Sequence, residues 1–353
     1  MGSTVLLAAC SRHEQGDQVV TLYTSADAFL AQPVVQAAEQ ATGLSVRLVT
    51  DSEATKTMGL VQRLVGERSR PVADVWWSSE ALGTIGLSRQ GLLKPWSPAS
   101  LATEFGGVWP GGLSDSGNNQ AATWYGVAQR ARVIAYSTRR IVKVSDAPSS
   151  LEGLCNVSLR GRVGLARPQF GTTRSHIAAH VVQSGELAVR GWLERFRVNQ
   201  PRVYEGNSAV VHALGVGEID VGLTDTDDVW AGQGQGWPVA AVFEQDDGSA
   251  SGDHALALPS RGAIVIPNTV AIISNCPNPQ RAQRLAEFLV SEEAERLMAS
   301  SESRNAPVRQ ALAQRLARSD KRLHFPLPAN VAWHEVGNVL DATDRLINEF
   351  FPV

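Results

Sequence analysis

The sequence predicts an α/β protein of two domains, and three observations predict it. At 353 residues the chain exceeds what a single hydrophobic core usually organises. Short apolar strands alternate with amphipathic helices from Val19 onward, the pattern of a parallel sheet joined by right-handed crossovers. Successive strands also end in hydroxyl and carboxylate residues, where open α/β sheets hold their ligands.

The first β/α units are regular. Val19–Tyr23 reads as a strand ending at Thr24-Ser25-Ala26-Asp27. Phe29–Thr42 has helical apolar spacing, with Pro33 near its start and Gly43 as its stop. Leu44–Val49 reads as a second strand, Thr55–Arg68 as a second helix, and Ala73–Trp77 as a third strand ending at Ser78-Ser79-Glu80. Ala81–Gln90 is a third helix closed by Gly91. The Gly-, Pro- and Ser-rich stretch Trp96–Asn119 predicts a surface excursion, and Trp124–Ser137 is a long strand carrying Arg130.

A second β/α series follows. Pro148–Gly161 reads as turns with a short helix. Val163–Ala166 is a strand that leads through Gly171-Thr172-Thr173 into a helix, Arg174–Gln183, followed by another at Leu187–Arg197. The densest stretch is Val203–Trp230. A polar turn at Glu205–Ser208 opens a helix, Ala209–Leu214, and a Gly turn leads to an apolar strand, Ile219–Leu223. That strand runs into Thr224-Asp225-Thr226-Asp227-Asp228. If this segment stays extended, Asp225 and Asp227 share one face and Asp228 takes the other. Val239–Gln245 reads as a strand, Asp246–Asp253 as an acidic loop, and Gly262–Ile273 as a strand interrupted at Pro267-Asn268. Helices at Gln280–Phe288 and Ser291–Met298 and an amphipathic helix over Val331–Phe350 complete the chain.

Composition narrows the function. An apolar fraction of 43% is ordinary for a globular chain, and a net charge of −3 speaks against nucleic acid as a partner. Lysine occurs only at positions 56, 94, 143 and 321, which limits lysine chemistry. No window approaches the roughly 18 apolar residues of a membrane-spanning helix. Val5–Ala9 followed by Cys10 resembles a bacterial lipobox, although the apolar run is short for a signal segment and Met1-Gly2-Ser3 carries no Lys or Arg. The expectation is lipidation at Cys10, a tether over residues 1–18, and a cell-envelope or periplasmic location with lipid as the sole membrane attachment. Cys155 and Cys276 are expected as free buried thiols.

The order of VVTLYTS, ADVWWSSE, GLSRQGLLKPW, QRARVIAYSTR, GRVGLARPQFGTT, VYEGNSAVV with GEIDVGLTD, and IPNTVAII resembles a type II periplasmic solute-binding protein of an ABC importer. The likeness is greatest to the ferric-iron-binding-like branch, solute-binding family 1. The resemblance implies two lobes, each a mainly parallel sheet flanked by helices, that close on a ligand in the cleft between them. Lobe 1 would comprise residues 19–127 and 262–325 and lobe 2 residues 128–261, with residues 326–353 a C-terminal helix of unassigned lobe. It implies a monomeric receptor, not an enzyme. Its ligand would be a metal ion, with a synergistic anion, delivered to permease subunits; no organic cofactor is called for.

Carried over by position, the family's tyrosine pair falls on Asp227 and Asp228. Its strand-end carboxylate falls on Glu80, its anion-holding Arg on Arg130, its hydroxyl-rich helix start on Thr172-Thr173, and its next turn on Asn207-Ser208. The expected ligand set is therefore Ser25, Trp77, Glu80, Arg130, Thr172, Thr173, Asn207, Ser208, Asp225, Asp227 and Asp228. Glu80, Asp227 and Asp228 are the metal candidates. Carboxylates suit hard cations, and loss of both tyrosines argues against phenolate ligation of ferric iron.

Each feature has a plainer reading as well. Asp residues at a helix start, like Thr172-Thr173 and Asn207-Ser208, serve as caps. Arg130, mid-strand, needs a counter-charge that could be a ligand anion or a nearby Asp. His176 and His180 share a helix face but lack the Glu of H-E-x-x-H, so surface or packing roles are expected. An organic cation stacked on Trp77, or a phosphorus compound such as an aminophosphonate or thiamine-like ligand, is the alternative cargo.

The strand with Asp225 and Asp227 also resembles the phosphatase signature of haloacid dehalogenases, with Asp225 as nucleophile and Asp227 as acid. That motif normally opens its domain and needs a later Lys, and here the sole later Lys is Lys321. No phosphatase activity is expected. Hydrolysis of an aryl phosphate that disappears in Asp225→Asn would overturn the binding-protein reading.

Overall fold

The computed structural model describes residues 18–51, 58–115, 121–245, 258–325 and 329–352. Cys10, the start of the helix expected from Thr55, and the acidic loop from Asp246 lie outside these residues.

The chain opens with β1 (Val19–Thr24), α1 (Ala28–Thr42), β2 (Ser45–Thr50), α2 (Met58–Gly66), β3 (Val75–Ser78) and α3 (Ala81–Arg89). Strands β2, β1 and β3 pair in parallel, with Leu22 level with both Leu48 and Val75. Gly43, in the left-handed region at φ 67°, ends α1 by donating its N–H to the Glu39 carbonyl. Next come β4 (Leu93–Lys94), α4 (Ala99–Thr103) and the long strand β5 (Trp124–Ser137).

The second series is β6 (Val163–Ala166), α5 (Gly171–Ser184), α6 (Glu186–Val198), β7 (Arg202–Tyr204), α7 (Asn207–Val216), β8 (Val221–Asp225), α8 (Thr226–Gly234) and β9 (Val239–Val242). The chain returns through β10 (Val265–Ile273) to α9 (Pro279–Leu289), α10 (Glu292–Ser300) and α11 (Gln310–Ala317). It ends with α12 (Trp333–Val336) and α13 (Leu340–Phe350).

The strands hydrogen-bond in the order β2-β1-β3-β10-β5-β8-β6-β7, with β4 on β10 and β9 on β5. β5 is the shared member. From Trp124 to Ala131 it pairs antiparallel with β10; from Arg132 to Tyr136 it pairs antiparallel with β8, and from Ile134 to Ser137 with β9 as well. Apolar cores lie on either side of this change of partner. One gathers Leu22, Trp76, Trp124 and Leu285. Another gathers Ile134, Leu165, Trp192 and Leu346, and a third Val133, Val210, Leu214 and Val239.

The expected interruption of β10 is present. Its register against β5 shifts between Pro267 and Thr269, where proline has no N–H to donate. Asn268 fills the gap, its side-chain N–H₂ donating to the Ala128 carbonyl at 3.2 Å and to Asn305 Oδ1 at 2.8 Å.

Several boundaries differ from the sequence reading. The last helix is broken, with a 3-10 turn at Gly337–Val339 between α12 and α13. The reason is packing: Val336 belongs to the first core, while Leu346, Ile347 and Phe350 belong to the second. The chain passes so close to α3 at Gly337 that a Cβ there would meet Arg89 Cδ at 3.0 Å and Ile85 Cγ2 at 3.1 Å. β7, α4 and α11 were not foreseen, being short or weakly patterned. The acidic stretch after β8 is helical rather than extended, so period-2 alternation does not order its carboxylates.

Gly126 marks another close approach. A Cβ there would lie 2.7 Å from Leu113 Cβ and 3.1 Å from Pro267 Cβ. Gly126→Ala is expected to cost about 1–3 kcal/mol through overpacking, read as a lower urea midpoint at unchanged slope.

Candidate functional site

A cavity of about 600 Å³ opens between the two halves of the structure. It lies at the C-terminal ends of the strands, as expected for an open α/β sheet. Its wall is largely made of helix beginnings: Ala26–Leu30 at α1, Ser79-Glu80 at α3, Phe170–Thr173 at α5, Gly206–Ala209 at α7 and Asp225–Asp228 at α8. Each helix start turns the positive end of its dipole toward the cavity, although at α3 the first N–H groups are taken by the Glu80 carboxylate. The site is therefore electropositive in its backbone and acidic in its side chains.

Asp225 is the anchor. It ends β8, is 1% exposed, and receives Arg132 Nη1 at 2.7 Å and Arg130 Nε at 3.2 Å. The Thr172 hydroxyl donates to it at 2.6 Å and the Asn207 side-chain N–H₂ at 2.9 Å. Thr172 also accepts from Asn207 at 2.9 Å. One carboxylate thus joins β5, α5, α7 and β8. Burial acts to raise the Asp225 carboxyl, yet Arg132 and then Arg130, with Thr172, hold it below the usual carboxylate range. Arg130 also lies 3.5 Å from Asp227. Burial works against its charge, but Asp227 and Asp225 keep it firmly protonated.

Asp227 and Asp228, in the first turn of α8, are partly exposed and line the cavity. Oxygens of Asp225, Asp227 and Asp228 fall within 4.8 Å of one another. Asp225 is clasped by two guanidinium groups, while Asp227 and Asp228 line the cavity beside it, Asp227 also within 3.5 Å of Arg130.

The other expected residues are placed as follows. Arg130, Thr172, Thr173, Asn207 and Ser208 all line the cavity. The charge that balances Arg130 comes from Asp225 and Asp227, not from a ligand alone. The Thr173 hydroxyl is buried at the start of α5 and has no hydrogen-bond partner among the described residues. Glu80 lines the opposite wall, but its oxygens cap α3 by accepting from Leu82 N–H at 2.5 Å and Gly83 N–H at 2.8 Å. It also accepts from the Ser175 hydroxyl of α5 at 3.0 Å, a buried contact that ties α3 to α5. Burial pushes the Glu80 carboxyl up against those donors.

Two of the expected residues do not line the cavity. Trp77 is fully buried and is not part of the wall, because it points into the core beneath β3. Ser25 is also buried, bound to the hydroxyls of Ser78 and Ser79 and accepting from the Ser79 N–H at 2.9 Å. The aromatic surface of the cavity comes instead from Phe29 and Phe170. The sequence reading overlooked Arg132, whose signal was its spacing: residues 130 and 132 of one strand share a face. It also overlooked Asn268, Ser303 and Asn305, which reach the cavity from the β10 bulge and the loop after α10. His176 and His180, expected in surface or packing roles, are buried against Glu244.

Residues 34–322 match the family model of the bacterial extracellular solute-binding proteins, and the chain belongs to that family. Relatives include the major ferric iron-binding protein of Neisseria meningitidis, 27% identical over 282 residues, covering 79% of this chain and 78% of that protein. The Fe(3+)-binding periplasmic protein of Serratia marcescens is 23% identical over 307 residues, covering 84% of this chain and 81% of that protein. Among solved structures, iron-bound HitA of Pseudomonas aeruginosa superposes with a TM-score of 0.75 at 21% identity, covering 94% of this chain and 99% of that one. The periplasmic binding protein AfuA of Actinobacillus pleuropneumoniae, solved with fructose-6-phosphate, superposes at 0.71 with 18% identity, covering 94% and 96%. The fold is that of the two-lobed periplasmic binding proteins.

Asp225→Asn leaves Arg132 buried without its counter-charge, and a loss of about 3–5 kcal/mol is expected. Because the folded carboxyl lies below its unfolded value, its stabilisation is present above about pH 4 and is lost as pH falls further. Wild-type melting temperature should therefore drop more steeply below about pH 4 than that of the variant.

Proposed function

We propose that this protein is the receptor of an ABC importer whose cargo is a hard metal cation carried with a small anion, ferric iron foremost. The observation that supports it is the acidic group at the start of α8, with oxygens within 4.8 Å of one another, facing a cavity walled by helix N-termini. Asp227 and Asp228 would bind the cation, since carboxylate oxygens suit hard ions. The start of α5, with the Thr173 hydroxyl, would take the anion. The names of the relatives in Neisseria meningitidis and Serratia marcescens support iron as the metal.

In this reading the lobes are residues 19–127 with 262–325 and residues 128–261, and α13 joins the second lobe, whose core holds Leu346 and Ile347. Cargo touches both walls only when the lobes are closed, so binding shifts the population toward the closed form. A monomer anchored by lipid at Cys10 would present that form to the permease subunits. Binding, not turnover, is the activity.

A specific spectroscopic outcome follows. None of the four tyrosines lines the cavity. Iron-loaded protein should therefore lack the visible phenolate-to-iron charge-transfer band. Ferric citrate should quench tryptophan fluorescence at one equivalent. Asp227→Asn with Asp228→Asn should weaken that binding at least about tenfold, each lost carboxylate removing an anionic ligand. Absence of ferric binding with citrate or carbonate, together with tight binding of a sugar phosphate, would transfer the site to phosphorus compounds.

A further inference from the structure

We propose that His176, His180 and Glu244 form a second, separate metal site, for one divalent transition ion of the zinc class. It lies in the second half of the molecule, on α5 one turn past the residues that line the cavity. His176 and His180 lie one turn apart on α5, and Glu244 follows β9. All three side chains are about 2–3% exposed.

The geometry is that of ligands around an ion. His180 Nε2 lies 3.1 Å from His176 Nε2, which lies 3.3 Å from Glu244 Oε1. The third edge, His180 Nε2 to Glu244 Oε1, is 4.0 Å. A point equidistant from three atoms so spaced lies about 2 Å from each, the bond length of zinc to histidine nitrogen and carboxylate oxygen. Two imidazoles and a carboxylate are borderline donors suited to zinc, cobalt, nickel or ferrous iron, not to calcium or magnesium.

Hydrogen bonding alone leaves this cluster unsatisfied. The Nε2 of a neutral histidine has one in-plane position, holding either a proton or a lone pair. His176 Nε2 faces two partners and can serve one. If it donates to Glu244, it cannot accept from His180; if it accepts from His180, it has no proton for the carboxylate. A cation at the common point engages all three lone pairs together. His180 Nδ1 has no partner among the described residues, so its tautomer is not fixed against presenting Nε2.

Protonation states agree. Burial lowers His180 to about 3 and holds His176 well below its ordinary value, so both are neutral and able to ligate. Burial raises the Glu244 carboxyl, a cost that a bound cation would offset. The neighbouring Arg132 charge is met by Asp225. Ser260 Oγ, 3.5 Å from Glu244 Oε2, borders the site.

The site would cross-link α5 to the end of β9, one turn beyond Thr172 and Thr173. Its ion would thus brace the helix whose start faces the cavity, without being the cargo.

The test uses untagged full-length protein stripped with a chelator and then titrated with Zn²⁺, or with Co²⁺ for its visible ligand-field bands. The Asp227→Asn, Asp228→Asn double variant removes cleft carboxylates and should still bind one equivalent. His176→Gln and His180→Gln should each weaken that binding at least about 100-fold, and wild type should gain thermal stability with Zn²⁺. Glu244→Gln, nearly isosteric, serves if the histidine variants fail to fold, and should also lose the ion. Stoichiometry and affinity unchanged in folded variants at these positions, or no tight Zn²⁺ binding by wild type, would overturn the site. Iron binding in the cleft is measured separately on the same proteins, so failure of either proposal leaves the other standing.

Discussion

The clasp of Arg132 and Arg130 on Asp225 is the constraint on which the rest of the cleft depends. Arg132 has no exposed surface and Asp225 has 1%. Neither charge is tolerable there alone, because desolvating an unpaired ion costs far more than a fold can supply. Together with Thr172 and Asn207 they form one polar node at the meeting of β5, β8, α5 and α7. That node sets where α5, α7 and α8 begin. Asp227 and Asp228 face the cavity because the chain turns into a helix immediately after Asp225.

The site's electrostatics combine opposing parts. Helix beginnings supply diffuse positive potential from backbone dipoles. Acidic side chains supply localised negative charge. A bare cation would meet the first as repulsion and a bare anion would meet the second. A cation accompanied by an anion would satisfy both, which is the electrostatic basis of the cargo proposed above.

Much of the architecture was legible in the sequence. The strands and helices from Val19 to Arg89 followed from period and punctuation alone, since apolar spacing and terminal glycines there agree. What the sequence hid were effects of tertiary contact. The break at Gly337 arises because two different cores claim the two halves of one amphipathic run. Trp77 sits at a strand end but faces inward, a choice between two faces that alternation cannot make when both are buried. The acidic cluster read equally as an extended ligand strip or as a helix start; the structure makes it a helix start that still faces the cavity. The proximity of His176 and His180 was legible from their spacing, but Glu244, 64 positions beyond His180 in the numbering, was not.

β5 has a mechanical consequence. A single strand is bonded to β10 along its first half and to β8 and β9 along its second. Such a strand resists stretching, because lengthening it would break ladders on both sides. It can twist, and the irregular pairing at Pro267–Thr269 concentrates compliance beside Gln129 and Arg130. The two halves would therefore move as paddles on a torsion bar rather than as jaws on a loose tether. Arg130 stands on that bar, so the angle between the paddles and the position of its charge are one variable.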